Sequence, residues 1–277
     1  MNLDALWYAF RKNRPAVVGL AGLSAMVLLA LFASLLAPAD PMAMGGASLQ
    51  APTWLHLMGT DDLGRDSLSR FLFGARVSLT VGALAAATSC TIGICVGATA
   101  GYFGGWTDQV LMRAAEFMEV IPRFFLAILI VALFGASVFI IIGVIGLLSW
   151  PQIARLTRGE FLTLREREYV VAARAIGIGD GNLIFGEILP NAAPPLIVMA
   201  TLQVSTAILL EAGLSFLGLG DPTRPSWGLM LNNAQPFIRT AWWLAFFPGI
   251  GIFLTVAALN LVGDGLGDVL NPRLRGR

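Results

Sequence analysis

Charged residues are spread unevenly along this sequence. Five stretches of 23 to 31 residues, at 15–39, 77–107, 124–154, 188–210 and 240–263, contain no Asp, Glu, Lys or Arg. About 20 consecutive apolar residues suffice for a helix that crosses a bilayer, so the pattern predicts an all-α polytopic membrane protein. The first crossing is read over 17–36. It is retained rather than cleaved, because its apolar run exceeds that of a signal peptide. Ahead of it Leu3, Leu6, Trp7 and Phe10 fall on one helical face, which predicts a short helix lying in the membrane interface.

The second helix is read over 77–101. Ala85, Ser89, Gly93, Gly97 and Gly101 recur every four residues along it, a stripe of small side chains that lets another helix approach closely. The 31 residues of 124–154 are too many for one ordinary span and too few for two. Gly135-Ala136-Ser137 divides them, and two helices fit if the first starts near Ala114 and the second runs to about Arg155. The bias of Lys and Arg toward cytoplasmic loops decides between the counts. One helix here would put Arg155, Arg158, Arg165, Arg167 and Arg174 outside, whereas two put them inside. The fifth helix then covers about 193–213 and the sixth about 243–263, with Trp242 and Trp243 at an external interface. The result is six transmembrane helices with both termini cytoplasmic. Twelve basic residues lie inside, five lie outside, and Arg123 sits at a margin.

Composition agrees. Hydrophobic residues make up 57% and charged ones 13%, with a mean hydropathy of +0.77, which excludes water-soluble, disordered and collagen-like chains. A net charge of +1 leaves no basic field for nucleic acid. Cys90 and Cys95 sit five apart in one apolar stretch, and small packing residues are the simpler reading than a disulfide or metal site. His56 is the sole histidine, so no histidine-based metal cluster is available. Lys12 is the sole lysine and follows no glycine loop, so the chain lacks the lysine-bearing loop that cradles nucleotide phosphates. If ATP drives it, another subunit hydrolyses the ATP.

Several segments offer chemistry. In the loop 155–194, residues 165–176 read as a helix, 177–181 as a turn, and 182–189 as a second short helix ending at Pro190. Such a helix–turn–helix with Ala172 and Ala173 on its surface fits a shallow partner groove, and equally a solvated basic loop that only orients the protein. Asp61, Asp62 and Asp66 lack the spacing of a calcium loop. Asp66 is read instead as the cap of a helix on the outer interface that carries Leu68, Phe71 and Leu72. Gln203, Ala207 and Glu211 share one face of the fifth helix. They are candidates for lining a pathway, with an interhelical hydrogen bond for Gln203 and a headgroup position for Glu211 as the alternatives. Arg113 and Glu116 are read as an i,i+3 ion pair.

The run Tyr169-Val-Val-Ala172-Ala173-Arg-Ala-Ile-Gly177, followed by Ile188-Leu189-Pro190-Asn191, resembles the EAA loop of permease subunits in binding-protein-dependent ABC importers. It departs from that motif at Val171, where a glutamate is usual, and at Glu187, where an isoleucine is usual. Three further runs resemble the C-type subunit of the dipeptide/oligopeptide/nickel permeases. These are Gly59-Thr-Asp-Asp-Leu-Gly-Arg-Asp66 with Gly74-Ala-Arg76-Val-Ser-Leu79; Gly213-Leu-Ser-Phe-Leu-Gly-Leu-Gly220 with Trp227-Gly228; and Phe247-Pro248-Gly249 through Asn260-Leu-Val-Gly-Asp264 to Asn271-Pro-Arg-Leu274.

The resemblance implies a type I ABC importer permease fold and a transport role rather than an enzyme. Residues 1–75 would hold the interfacial helix, the first span and a periplasmic segment. Residues 76–265 would form the transmembrane domain, and 266–277 a cytoplasmic tail. The implied partners are a sister B-type permease subunit, two ABC ATPase subunits that bind the ATP, a periplasmic substrate-binding protein and the lipid of a bacterial inner membrane. No cofactor is implied in this chain. Ala172, Ala173, Gly177 and Pro190 would belong to the segment that couples to the ATPases. Peptides are the implied cargo, with nickel chelates, glutathione or opines as alternatives. An ion-coupled secondary transporter is the alternative from another class; against it, the sequence has no evident inverted repeat and only Glu211 as a carboxylate near a membrane interior.

Overall fold

The computed structural model describes residues 3–270. The 271–274 motif, the arginines of the tail and the side chains of Leu3 and Leu6 lie outside the described residues. Among those described, every regular element is a helix: α1 (Leu3–Lys12), α2 (Arg14–Leu31), α3 (Ala33–Leu36), α4 (Ser67–Phe103), α5 (Gly105–Val120), α6 (Arg123–Phe134), α7 (Val138–Leu164), α8 (Glu168–Ala175), α9 (Asp180–Asn182), α10 (Leu189–Leu214), α11 (Trp227–Ala234) and α12 (Trp243–Leu270). Five helical stretches are long and apolar enough to cross a membrane, and a sixth counts if the bent pair α5–α6 is one span.

The small-residue ladder works as a packing seam. Among the described residues, helices α4 and α7 share the most extensive contact. A Cβ at Gly93 would lie 2.6 Å from the Ile153 Cβ, and one at Gly101 would lie 2.6 Å from the Phe161 Cβ. At Gly97 it would run into the Ala154 carbonyl oxygen. In lipid no hydrophobic drive brings helices together, so this backbone approach supplies the attraction through close van der Waals contact. Helix α2 uses the same device, with Gly19 against Leu261 and Ala258 of α12. Asn13 caps α2 through the Ala16 amide at 3.2 Å and reaches Asp268 of α12 at 3.0 Å.

Several sequence expectations need correction. The second span starts at Ser67, ten residues early, because Asp66 caps it: its Oδ2 accepts from the Ser69 amide at 2.8 Å. No separate interfacial helix carries Phe71 and Leu72, which are buried in the core against Trp227. The third span starts at Gly105 rather than Ala114 and is not straight; α5 and α6 meet at an 80° bend. Pro122 lacks an N–H and pushes Ile121 into an extended conformation (φ −87°, ψ 125°), which ends α5. The break at Gly135 is present, with φ +97°. The divisions at 75/76 and 265/266 fall inside α4 and α12 and mark no structural break.

The fifth span is longer than 193–213. Residues 180–217 form one helical stretch with wide turns at Leu183–Ile188 and from Ser215, and the left-handed Gly218 (φ +85°) kinks the chain at its end. No short helix ends at Pro190, which lies in the first turn of α10. Pro190 removes one backbone bond and its ring would crowd the carbonyl a turn earlier, and the widened turn just before it relieves that crowding. The sixth span likewise continues past 263 to Leu270.

At the end of the bundle opposite α8, the segment between α3 and α4 is held by ionic contacts. Asp61 takes the Arg65 guanidinium at 2.7 Å, and its other oxygen accepts the Arg65 amide at 2.9 Å. His56 Nδ1 lies 2.9 Å from Asp66. These carboxylates are thus occupied by protein groups, and no three potential metal ligands converge among the described residues. The Arg113–Glu116 pair is present at 3.0 Å.

Candidate coupling site

The hairpin between α7 and α10 is built around one buried side chain. Val170 on α8 is fully enclosed by a cluster that includes Tyr102, Phe161, Leu183, Ile188 and Leu196. Its neighbour one turn on, Ala173, packs half-buried on the same cluster, while Val171, Ala172 and Ile176 face outward. The helix covers 168–175 rather than 165–176, because residues 165–167 form a turn after α7.

Gly177 ends α8 with φ +87°. Its amide donates to Arg174 O at 3.0 Å, and the next amide, Ile178, donates to Ala173 O at 3.2 Å. This is the six-to-one, five-to-two bonding of a Schellman cap, which needs a left-handed residue and favours glycine there. Ile178 packs with Ala173 in the same cluster, as that cap usually requires. Nothing lies within 4 Å of a Cβ built at Gly177, so the position opens outward.

Arginines tie the hairpin to the bundle. Arg165 donates to the Gly101 and Tyr102 carbonyl oxygens at 2.8 and 3.3 Å, satisfying the C-terminal end of α4. The Tyr102 hydroxyl donates to Asp180 Oδ1 at 2.6 Å, and Arg174 lies over the Tyr102 ring at 5.5 Å. Arg158 on α7 binds Asp108 of α5 with a second contact at 2.6 Å, and Arg155 pairs with Glu119. The sequence presents these arginines only as a charge bias; in the fold four of the five also act as struts.

Of the four residues assigned to coupling, Ala172, Gly177 and Pro190 are exposed and Ala173 is half-buried. Pro190 belongs to the first turn of α10, whereas the others lie on α8 and its cap. The outward surface also carries Tyr169, Ile176 and Phe185, which sequence reasoning did not single out; Ile176 is 80% and Phe185 70% exposed. Large apolar side chains in a segment that also carries Arg165, Arg167 and Arg174 were the available signal.

The candidate pathway residues are buried within the chain. Gln203, Ala207 and Glu211 are 2%, 0% and 1% exposed, enclosed between helices of the chain itself. None of them faces an open surface. Instead a groove of about 770 Å³ opens beside the hairpin between α7, α10 and α12, lined by Glu160, Arg167, Asn191, Pro194, Val198 and Met199 among others. The side of α10 that faces it is the one next to the buried stripe, since Leu202 lines the groove and Gln203 does not.

Comparison with known proteins places this architecture. Residues 93–276 match the family described as binding-protein-dependent transport system inner membrane component, and residues 3–52 match the N-terminal TM domain of oligopeptide transport permease C. The chain is 43% identical over 281 residues to the dipeptide transport system permease protein DppC of Escherichia coli, covering 99% of this chain and 94% of that one. It is 42% identical to the di/tripeptide transport system permease protein DppC of Pseudomonas aeruginosa, over 99% and 93% of the two chains. The dipeptide transport system permease protein DppC of Alkalihalophilus pseudofirmus is also 42% identical, over 96% and 88%. With its capped hairpin strapped across a bundle of apolar helices, the chain belongs to the family of binding-protein-dependent inner-membrane transport components.

Proposed function

We propose that the chain is one of two permease subunits of an ATP-driven importer of short peptides, with its α8 hairpin on the cytoplasmic side. A sister permease would complete the path, two ATPase subunits would dock on the hairpins, and an external binding protein would deliver the cargo. ATP would be bound by the partners alone, since this chain's single lysine follows no phosphate-binding loop. The relatives named for dipeptide and di/tripeptide transport support the cargo class.

The observation that carries this reading is the combination of rigidity and exposure in the hairpin. Val170, Arg165, Tyr102 and the Schellman cap hold it to α4 and α10, while Ala172, Ile176 and Gly177 face away from the bundle. A partner that grips that face therefore moves helices rather than a loop. Small residues at 172 and 177 allow the partner surface to come close, and the exposed Ile176 offers it an apolar anchor.

Reconstitution of the chain with its sister permease, ATPase subunits and binding protein in proteoliposomes tests the proposal. Dipeptide uptake is expected to require ATP inside a vesicle interior equivalent to the cytoplasm, together with the binding protein outside. Uptake driven by a proton gradient without ATP would overturn it in favour of a secondary transporter.

A further inference from the structure

Glu211 is a carboxylic acid buried in a membrane-spanning helix, and it does not line the groove. Polar groups in such surroundings are costly unless each is given hydrogen-bond partners. Here the donors come from two segments, the turn after α10 and α4. Ser215, one turn on, donates to Oε1 at 2.7 Å, and Ser78 on α4 donates to Oε2 at 3.1 Å. Ser226, the residue before Trp227, is buried as well, and all three serines are 0–4% exposed.

The contacts extend into α11. The Trp227 amide donates to the Ser78 oxygen at 3.3 Å, so a chain of hydrogen bonds runs from α11 through α4 to Glu211. Ser226 caps α11 through the Leu229 amide, and the Trp227 indole donates to Phe71 O at 3.1 Å. Glycines bring the backbones together around this point. A Cβ at Gly228 would lie 2.6 Å from Ala212 O, and one at Gly220 would lie 2.7 Å from the Ser215 hydroxyl. Asn232 closes the segment by donating to Phe216 O at 2.7 Å. The run from Gly213 to Gly220 with Trp227-Gly228 thus serves to join α11 to the end of α10.

We propose that Glu211 is a positioning residue that latches α11 to the end of the α10 rod, so that a binding protein displacing the α11 segment moves the coupling hairpin at the rod's other end. The inference rests on the importer reading above, which puts α11 outside and the hairpin inside. The stretch Asp180–Leu219 has 40 residues, kinked at Gly218; up to that kink it spans more than about 50 Å at helical rise, which exceeds the hydrocarbon thickness. Its hairpin end is held by Tyr102 and its α11 end by Glu211. Separating α11 from this point would break the Trp227 amide's bond to the Ser78 oxygen that Glu211 holds in place, and leave that buried amide without its acceptor. The two elements therefore move together rather than apart, and the exposed turns flanking α11, at 222–224 and 238–240, are where a docked protein would push.

The test compares ATP hydrolysis by the complete complex in proteoliposomes with and without peptide-loaded binding protein. Glu211→Leu keeps the volume and removes both acceptors; it is expected to lower the stimulation by the binding protein about tenfold while basal hydrolysis stays within about twofold. Glu211→Gln keeps an acceptor and adds a donor that a serine oxygen can take, so at least half of the stimulation should remain. Ser78→Ala, which leaves the packing intact, is expected to lower it about threefold and decides the matter if the leucine variant fails to assemble. Stimulation equal to wild type in the leucine or alanine variant overturns the latch, as does equal loss in the glutamine and leucine variants. A wild-type complex that the binding protein does not stimulate rejects the importer reading, and the latch with it.

Discussion

Tyr102 and Asp180, 78 residues apart, share a hydrogen bond of 2.6 Å that closes the α8 hairpin onto the end of α4. Asp180 opens the stretch that becomes α10, and Tyr102 lies in the last turn of the helix that α7 packs against. The bond therefore joins the two longest helical stretches at the place where a partner would apply force.

Tyr102→Phe removes the donor while keeping the ring beneath Arg174. It is expected to cost about 0.5–1.5 kcal/mol locally and to lower uptake per ATP hydrolysed, with the complex still assembling. Parallel measurements of hydrolysis and uptake in proteoliposomes check this. An unchanged ratio would mean that the hairpin needs no tether at this point.

The Schellman cap separates a backbone effect from a surface effect at Gly177. Gly177→Asn tolerates the left-handed conformation and should transport at near wild-type rates. Gly177→Arg adds strain of about 1 kcal/mol and projects a charged chain from an open surface. We expect it to insert and fold but to lose ATPase binding and uptake. Co-purification of the ATPases with each variant is the readout, and normal uptake by the arginine variant would refute the docking assignment.

The α4–α7 seam should tolerate nothing larger than glycine at Gly97. Gly97→Ala drives a methyl group into the Ala154 carbonyl and is expected to cost about 1–3 kcal/mol. Gly143→Ala and Gly159→Ala, on α7 where the space is open, serve as neutral controls. Thermal unfolding of the detergent-purified subunits measures the difference.

Orientation is checked by labelling. After Cys90 and Cys95 are replaced, a cysteine introduced at Ile176 should react with a membrane-impermeant maleimide only from the cytoplasmic side. One introduced at Thr223 should react only from the outside. Reversed accessibility would overturn both the arginine-based topology and the proposed role of the hairpin.

Much of this architecture is written in local pattern. Charge-free stretches mark the spans because a bilayer rejects charge. The break at Gly135, the Asp66 cap and the small-residue stripe on α4 are legible because each depends on residues within a turn or two of one another. The bend at Ile121–Pro122 was equally local, but an apolar count that treats 114–134 as one span passes over its proline.

The partners of the spans are another matter. In a soluble helix the apolar face points to the core, but lipid and core are both apolar, so hydrophobicity does not say which side of a span is buried. Sequence alone therefore requires that Gln203, Ala207 and Glu211 share a face, and that a carboxyl in the membrane find donors, without naming them. Ser78 lies 133 residues from Glu211, and only the packing of α4 against α10 makes it the donor. The arginines likewise give the expected topology by their number, while the particular carbonyl or carboxylate that Arg165 or Arg158 holds is a contact that exists only once distant helices meet.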